Sequence, residues 1–413
     1  MMRILQIAPA FFEFQPGGTE LCARSLHRAA LGQPGIESHL LACVPSWHGR
    51  PGAGSDFLTP TRGKAETGIA IRAFDQFHLS QLDDLGVLRS FREFLENYRP
   101  DRIHFHHLLY LGVEGIAVAR RTCPKAEILL TLHDYYAICA NDGLMTKKPD
   151  GALCYAAQPH ACLQCRPDAS IVAMALREQG IRAALDLVDR LIAPSAFLRD
   201  RFIAWGIPAE RIVHQPNALP EGWAGRSPLP PRDRRPGEPA IFGFFANVMP
   251  HKGLHVLLEA ALSLKAQGVD GFCVAVHGSD KHAPEAYKAR IAALVENLGA
   301  SISLRGGYAH EELPGLLAGV DAVIVPSVWW ENDPLIVRQA AAAGRPILHA
   351  DLGGLAEAGN QSGGKAFAPG DAAALAQRLL AFVRSTEAFI TPMSEPALAA
   401  IDGQRQLPEK RPA

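Results

Sequence analysis

The sequence predicts an α/β protein of two domains, each a parallel β-sheet covered by helices on both faces. Three observations carry this. Apolar strand-like runs alternate with helix-like segments over most of the chain. The length, 413 residues, exceeds what one ordinary core accommodates. Residues 219–239 (Leu219–Pro239) are rich in Pro, Gly and Arg without usable periodicity, and read as a linker between two Rossmann-like halves. The halves are then residues 1–218 and 240–385. A cleft between the two sheets is the expected ligand site.

In the first half, strands are expected at Ile4–Ala8, His39–Val44, Ile69–Ala73, Arg102–His106, Ile128–Leu132, Arg190–Ala193 and Arg211–His214. Helices are expected between them at Glu20–Ala30, Leu85–Tyr98, Gly112–Arg121, Ala173–Leu187 and Ala196–Trp205. In the second half the strands are Ala240–Ala246, Cys273–His277, Ile302–Arg305, Ala322–Val325 and Ile347–His349. The helices there are Leu254–Gln267, Pro284–Asn297, Glu311–Ala318, Pro334–Ala343 and Ala372–Val383. Residues 386–413 carry scattered Pro and charge with weak periodicity, apart from a short helical pattern at Ala397–Ile401, and read as an irregular tail.

Composition narrows the function. Apolar residues make up 48% and charged residues 20%, a globular balance, and the net charge of −1 gives no global field for nucleic acid. No run of about 18 uncharged apolar residues exists, so no membrane span is expected. The first residues read as a core strand rather than a leader peptide. A cytoplasmic protein with reduced cysteines is expected. Contact with the inner face of the membrane stays open, because Leu88–Arg99 and Phe197–Arg211 combine basic and aromatic residues; amphipathic packing explains the same pattern.

The most informative stretch is Val323–Glu357. A strand runs into a Trp329-Trp330 pair and the turn Glu331-Asn332-Asp333. Pro334 then suits the first position of a helix ending at Gly344, and a second strand leads to the turn Gly353-Gly354. This unit sets a carboxylate, an amide and the backbone N–H groups of Asn332, Asp333, Leu335 and Ile336 at the carboxyl edge of a sheet, where α/β proteins bind phosphorylated and polyhydroxylated ligands. Gln339 lies within that helix, eight positions beyond Glu331 and more than two turns along. Alternatively, Asp333 simply caps the helix and the tryptophans are core.

Other loops occupy equivalent positions. Gly17 and Gly18, in FQPGGTE, follow the first strand and open a helix, so the backbone can approach a ligand closely. A tight turn accounts for them equally well. Lys252, in the turn Asn247-Val248-Met249-Pro250-His251-Lys252-Gly253, can reach a diphosphate at a helix start, or be a solvated surface lysine. His133 ends a strand in Thr131-Leu132-His133-Asp134 and is a candidate catalytic or polar contact. His104 and His106 share a strand face, which suits a metal pair less well than packing. Cys139, Cys154, Cys162 and Cys165 suit a small loop holding a structural zinc; packed free thiols are the alternative. Cys22, Cys43, Cys123 and Cys273 fit buried positions.

Together, the GGTE loop, TLHD, Ile192-Ala193-Pro194-Ser195, the Pro250–Gly253 turn and PSVWWENDP leading to GGLAE resemble the family-4 retaining glycosyltransferases of the GT-B class, over roughly Met2–Val383. The stretch around Cys139–Cys165 is similar to a subset carrying a Cys-rich insertion. The resemblance implies a GT-B-like fold, with a nucleotide-sugar donor on the second domain and a polysaccharide, lipid-linked or other glycoconjugate acceptor on the first. Lys252 would neutralise the diphosphate, Glu331 would contact sugar hydroxyls, His133 would approach the sugar, and the Gly17-Gly18 loop would close over the phosphates. No cofactor would be needed for catalysis. The family commonly has Arg where this chain has Asn247, and Glu, a ribose ligand, where it has Gln339. Those departures keep two other functions in view, a binding or partner subunit with weakened catalysis and a nucleotide-sugar epimerase.

Overall fold

In a computed structural model, residues 1–45, 57–58, 65–148, 150–223, 225–235 and 237–384 are described. They divide into two compact units, the first ending at Glu221 and the second beginning at Gly222. The expected irregular tail, including Ala397–Ile401, lies outside the described residues.

The first unit is built on a mainly parallel sheet. Its strands are β1 (Met2–Ala8), β2 (Ile36–Pro45), β3 (Phe57–Leu58) and β4 (Glu66–Ile71), and, after a small β5–β6 hairpin (Phe74–Asp75, Ser80–Gln81), β7 (Arg102–Phe105), β8 (Glu127–Thr131), β9 (Arg190–Ala193) and β10 (Ile212–His214). They lie in the order β10-β9-β8-β7-β1-β2-β4-β3, and only β3 runs antiparallel. Both faces of β1 are covered, so its centre is almost continuously apolar and buried. Ala8, Phe11, Ala23, Leu40, Ala42 and Val44 pack one cluster between the sheet and α1 (Gly18–Leu31).

Helix boundaries follow local capping more closely than periodicity. The helix expected from Leu85 begins as a π-helical turn, Asp84–Leu88, and becomes α2 at Arg89–Tyr98; Asp83 accepts the Gly86 N–H at its start. α3 spans Gly112–Thr122 and the short α4 Pro159–Cys165. α5 runs Ile171–Leu185, two residues earlier than expected at each end, because Ser170 accepts the Ala173 N–H as its cap. α6 (Ala196–Ala204) is capped the same way by Ser195 on Leu198 N–H.

The second unit has an all-parallel sheet of β11 (Ala240–Phe245), β12 (Phe272–His277), β13 (Ile302–Gly306), β14 (Ala322–Val325), β15 (Ile347–Ala350) and β16 (Lys365–Phe367), in the order β13-β12-β11-β14-β15-β16. Helices α7 (Leu254–Ala266), α8 (Glu285–Leu298), α9 (Leu313–Ala318), α10 (Leu335–Ala342), α11 (Gly353–Gln361) and α12 (Ala372–Arg384) connect and cover it. The Pro-rich connection is fastened to this unit: Leu229 N–H donates to Ala343 O, Arg345 donates to Pro230 O, and Arg232 forks onto Asp321.

Two boundaries in the Glu331–Gly354 stretch also differ from expectation. Pro334 is extended at the N-cap of α10 rather than its first helical residue, so the helix starts at Leu335. Gly353 and Gly354 are the first turn of α11, not a separate turn. Among the described residues no helix is long and apolar enough to cross a membrane.

Candidate active site

In the second unit, the chain leaves β11 through Ala246 and Asn247, makes a single 3₁₀ turn at Pro250–Lys252, and enters α7 through Gly253. Gly253 has φ +74°, and a Cβ there would lie 1.9 Å from Pro326 O, so this position admits only glycine. The close approach lays the Lys252 turn against the loop that follows β14. Val328 N–H donates to His251 O at 2.9 Å, and Gly354 N–H donates to Glu331 O at 3.1 Å. Loops from three neighbouring strands, β11, β14 and β15, are thus joined backbone to backbone.

This brings Lys252 and Glu331, 79 positions apart in sequence, into contact. Lys252 Nζ donates to Glu331 Oε1 at 2.7 Å, and Ser327 Oγ donates to the same oxygen at 2.9 Å. The Lys252 ammonium also sits 4.9 Å above the Trp329 ring. Burial alone would push the Glu331 carboxyl up; the Lys252 charge and hydrogen bonds from Lys252, Trp329 and Ser327 together outweigh it and hold the group below the usual carboxylate range. His251, packed against Trp329, is pushed down to about 4 by burial and then by Lys252.

Asn332 and Asp333 are buried. Asp333 does not cap α10, which has no side-chain cap; its carboxylate accepts from Arg338 at 2.8 Å in a buried ion pair. The N-cap of α10, Pro334, gives it no side-chain cap, and the first N–H groups of a helix have no partner within it. Gln339 is 3% exposed and its Nε2 has no partner. Asn247 is exposed, whereas Trp330 is buried as core. Ser327 stands in the PSVWWENDP motif but had no role assigned, and no motif marks Arg338; the roles of both follow only from the folded loop.

In the first unit, Gly17 is the extended N-cap of α1 and Gly18 its first residue. Glu20 folds back toward that start; a Cβ on Gly17 would meet its Oε2 at 2.4 Å. Burial raises the Glu20 carboxyl to about 7. His133 follows β8 and contacts His106, with Nε2 to Nδ1 3.3 Å and rings stacked at 5.6 Å. His106 contacts Gln6 Oε1 at 2.8 Å, and His104 contacts Thr131 Oγ1 at 2.7 Å. His104 and His106 thus bond to protein groups rather than forming a metal pair. Next to them, His107 Nε2 donates to Asp134 at 2.7 Å while its Nδ1 accepts the Leu109 N–H, which fixes the tautomer. Burial lowers His104 and His133 to about 3 and His106 well below its ordinary value.

All eight cysteines are free thiols. Cys22 and Cys43 are buried, but Cys123 and Cys273 are only partly so, because each lies at the margin of its element. Cys139, Cys154, Cys162 and Cys165 are partly buried in one loop region, where Cys154 Sγ contacts Ala156 O and Lys148 N–H donates to Cys165 Sγ, each at 3.3 Å. Among the described residues no three His, Cys, Asp or Glu side chains converge to hold a metal ion.

Residues 16–221 match the profile described as Glycosyltransferase Family 4, and residues 239–385 match Glycosyl transferases group 1. Over 161 residues the chain is 32% identical to a putative colanic acid biosynthesis glycosyltransferase, WcaL, of Salmonella typhimurium, covering 37% of this chain and 38% of that protein. It is 25% identical over 174 residues to the lipopolysaccharide 1,2-N-acetylglucosaminetransferase of the same organism, covering 41% and 45%. The chain thus matches less than half the length of these curated relatives. Among solved structures, Anabaena HepE in complex with UDP and glucose superposes with a TM-score of 0.63 at 17% identity, covering 98% of this chain and 95% of that one. Sucrose-phosphate synthase from Thermosynechococcus elongatus gives 0.67 at 18% identity with the same coverage. At these identities the superpositions establish the fold.

Proposed function

We propose that the chain, whose two halves match glycosyltransferase family models, transfers a sugar from a nucleotide-sugar donor to a polysaccharide, lipid-linked or other glycoconjugate acceptor with retention of configuration. The observation that carries this reading is the Lys252–Glu331 contact, 2.7 Å long, beside the uncapped start of α10. An ammonium and helix N–H groups suit a diphosphate, and a buried, ionised carboxylate suits sugar hydroxyls. When the donor binds, its diphosphate competes with Glu331 for Lys252, and the carboxylate turns to the sugar.

The leaving nucleotide's charge is then met by Lys252 and the helix N-terminus, so the reaction needs no metal. Attack from the face of departure, assisted by the leaving phosphate, retains configuration without a protein nucleophile. His133, kept neutral, contacts the sugar, and the Gly17-Gly18 loop meets the phosphates. The colanic acid and lipopolysaccharide enzymes among the relatives favour an acceptor in surface-glycan assembly. HepE, crystallised with UDP and glucose, makes UDP-glucose the first donor to try. Asn247 and Gln339, each lacking a charge the family commonly has, favour a binding or partner subunit as the second reading.

The test is nucleotide release and isothermal binding with UDP-, GDP-, ADP- and TDP-sugars, with Glu331→Ala as control. Turnover lost in the control supports transfer. Binding by the intact site without turnover, even with glycan acceptors supplied, supports the partner subunit. Interconversion of the free sugar nucleotide indicates an epimerase, and no binding of any donor refutes all three.

A further inference from the structure

One face of the first unit's sheet carries a ladder of buried polar side chains ending at His133. Gln6 on β1 pairs in register with His104 on β7. Strand alternation puts His106 on the same side, and the next strand adds Thr131 and, just past its end, His133. Gln6 is 0% exposed, His104 3% and His106 0%, so these contacts are made without competition from bulk water.

With the Gln6 amide oriented as found, the contacts assign a place to each proton. Gln6 Oε1 can only accept, so His106 must present its Nε2–H across the 2.8 Å contact. His106 Nδ1 then holds a lone pair, and His133 Nε2, 3.3 Å away, must be the donor. Turning the Gln6 amide over would reverse both bonds, so the tautomer of His133 is written by a side chain two links away. We infer that Gln6 and His106 are positioning residues that hold His133 in one ring orientation as its Nε2–H tautomer. This rests on the role proposed above for His133 at the sugar. A neutral chain of this kind needs each ring to carry a single proton, and burial keeps all three histidines in that form.

The logic is that of an oriented imidazole: a ring with the wrong tautomer offers a donor where an acceptor is needed. A purely structural role for the ladder would make substitutions cost stability and leave the tautomer and turnover of the folded enzyme alone.

The experiment uses the full chain labelled with ¹⁵N-histidine, with His133 assigned by its lost signals in His133→Gln. The native protein is expected to show a protonated Nε2 and a bare Nδ1 at His133 at neutral pH. His106→Leu removes the acceptor. It is expected to give mixed tautomers and a kcat about tenfold lower, with the donor KM little changed. His106→Asn sets Oδ1 near the place of Nδ1 and is expected to restore the Nε2–H form and most of kcat. A protonated Nδ1 in native His133 overturns the inference. So does a His106→Leu enzyme with native tautomer, whatever its kcat. If His106→Leu does not fold, the native spectrum and His106→Asn decide. Inactivity of the native enzyme with every donor, alongside the expected tautomer, would sink the transfer reading and leave the network standing.

Discussion

Replacing Lys252 with Ala strands a carboxylate. Glu331 is 9% exposed and the ammonium 2.7 Å from it is 24% exposed. Removing one partner of a fully buried pair costs about 3–5 kcal/mol. Water reaching the Lys252 side discounts that to about 2 kcal/mol. For a unit of this size, that lowers the melting temperature by about 4–8 °C. The penalty depends on pH with a definite sign. In the native protein the Glu331 pKa is depressed, so its stabilisation is present above the unfolded pKa and is lost as pH falls through the folded one. In Lys252→Ala, burial is opposed only by the hydrogen bonds from Ser327 and Trp329, so the pKa rises and protonation relieves the stranded charge as pH falls from 7.5 toward 5. Adding Glu331→Gln should recover most of the loss at pH 7.5, since the amide oxygen can still accept from Ser327, now 2.9 Å from Oε1. Differential scanning calorimetry of the four proteins of the cycle at pH 7.5 and 5 measures this. If the double variant equals the sum of the single losses to within about 0.5 kcal/mol, the two groups are not coupled and the reasoning fails.

Three further outcomes are expected. Gln339→Glu, restoring a carboxylate able to accept two ribose hydroxyls, should tighten nucleoside diphosphate binding about fivefold by calorimetry; weaker binding would show that the orphaned amide faces something else. The first unit should lose stability as pH falls from 6.5 to 5 in urea titrations, by up to about 1.4 kcal/mol per pH unit for each buried histidine. The sign follows from His27 and His39, lowered to about 4, and His104 and His133, lowered to about 3, all of which resist protonation only when folded. Glu20, raised to about 7, and His107, raised against burial by Asp134, oppose them, and a flat or rising profile would contradict the assignment. Finally, a chelator should leave the melting temperature unchanged, whereas a drop accompanied by about one equivalent of zinc would overturn the reading of Cys139, Cys154, Cys162 and Cys165 as thiols bonded to backbone.

Residues at the ends of strands were the most legible. Lys252 and Glu331 each follow an apolar run, and alternation alone puts His104 and His106 on one side of β7. Their partners were not legible, because partners depend on strand order. Lys252 meets Glu331 only because β14 lies beside β11, and Gln6 meets His106 only because β1 lies beside β7. A lone Gln in a core strand carries no local sign of which imidazole it will touch. Pro334 misplaced the start of α10 by one residue because proline's φ suits both an N-cap and a first helical position. Asp333 reads as a cap by type, but the buried Arg338 guanidinium five residues on claims it with a charge-assisted bond. Cysteine spacing proposes a metal loop without stating whether the sulfurs converge.

The seam joining the loops after β11, β14 and β15 is made of main-chain hydrogen bonds, Val328 to His251 and Gly354 to Glu331. Main-chain bonds survive changes of side chain. Asn247 and Gln339 can therefore drift, or be redesigned, without unpicking the framework that holds Lys252 against Glu331. On the proposed reading, ligand preference changes through a few substitutions at such positions, on a scaffold that need not be rebuilt.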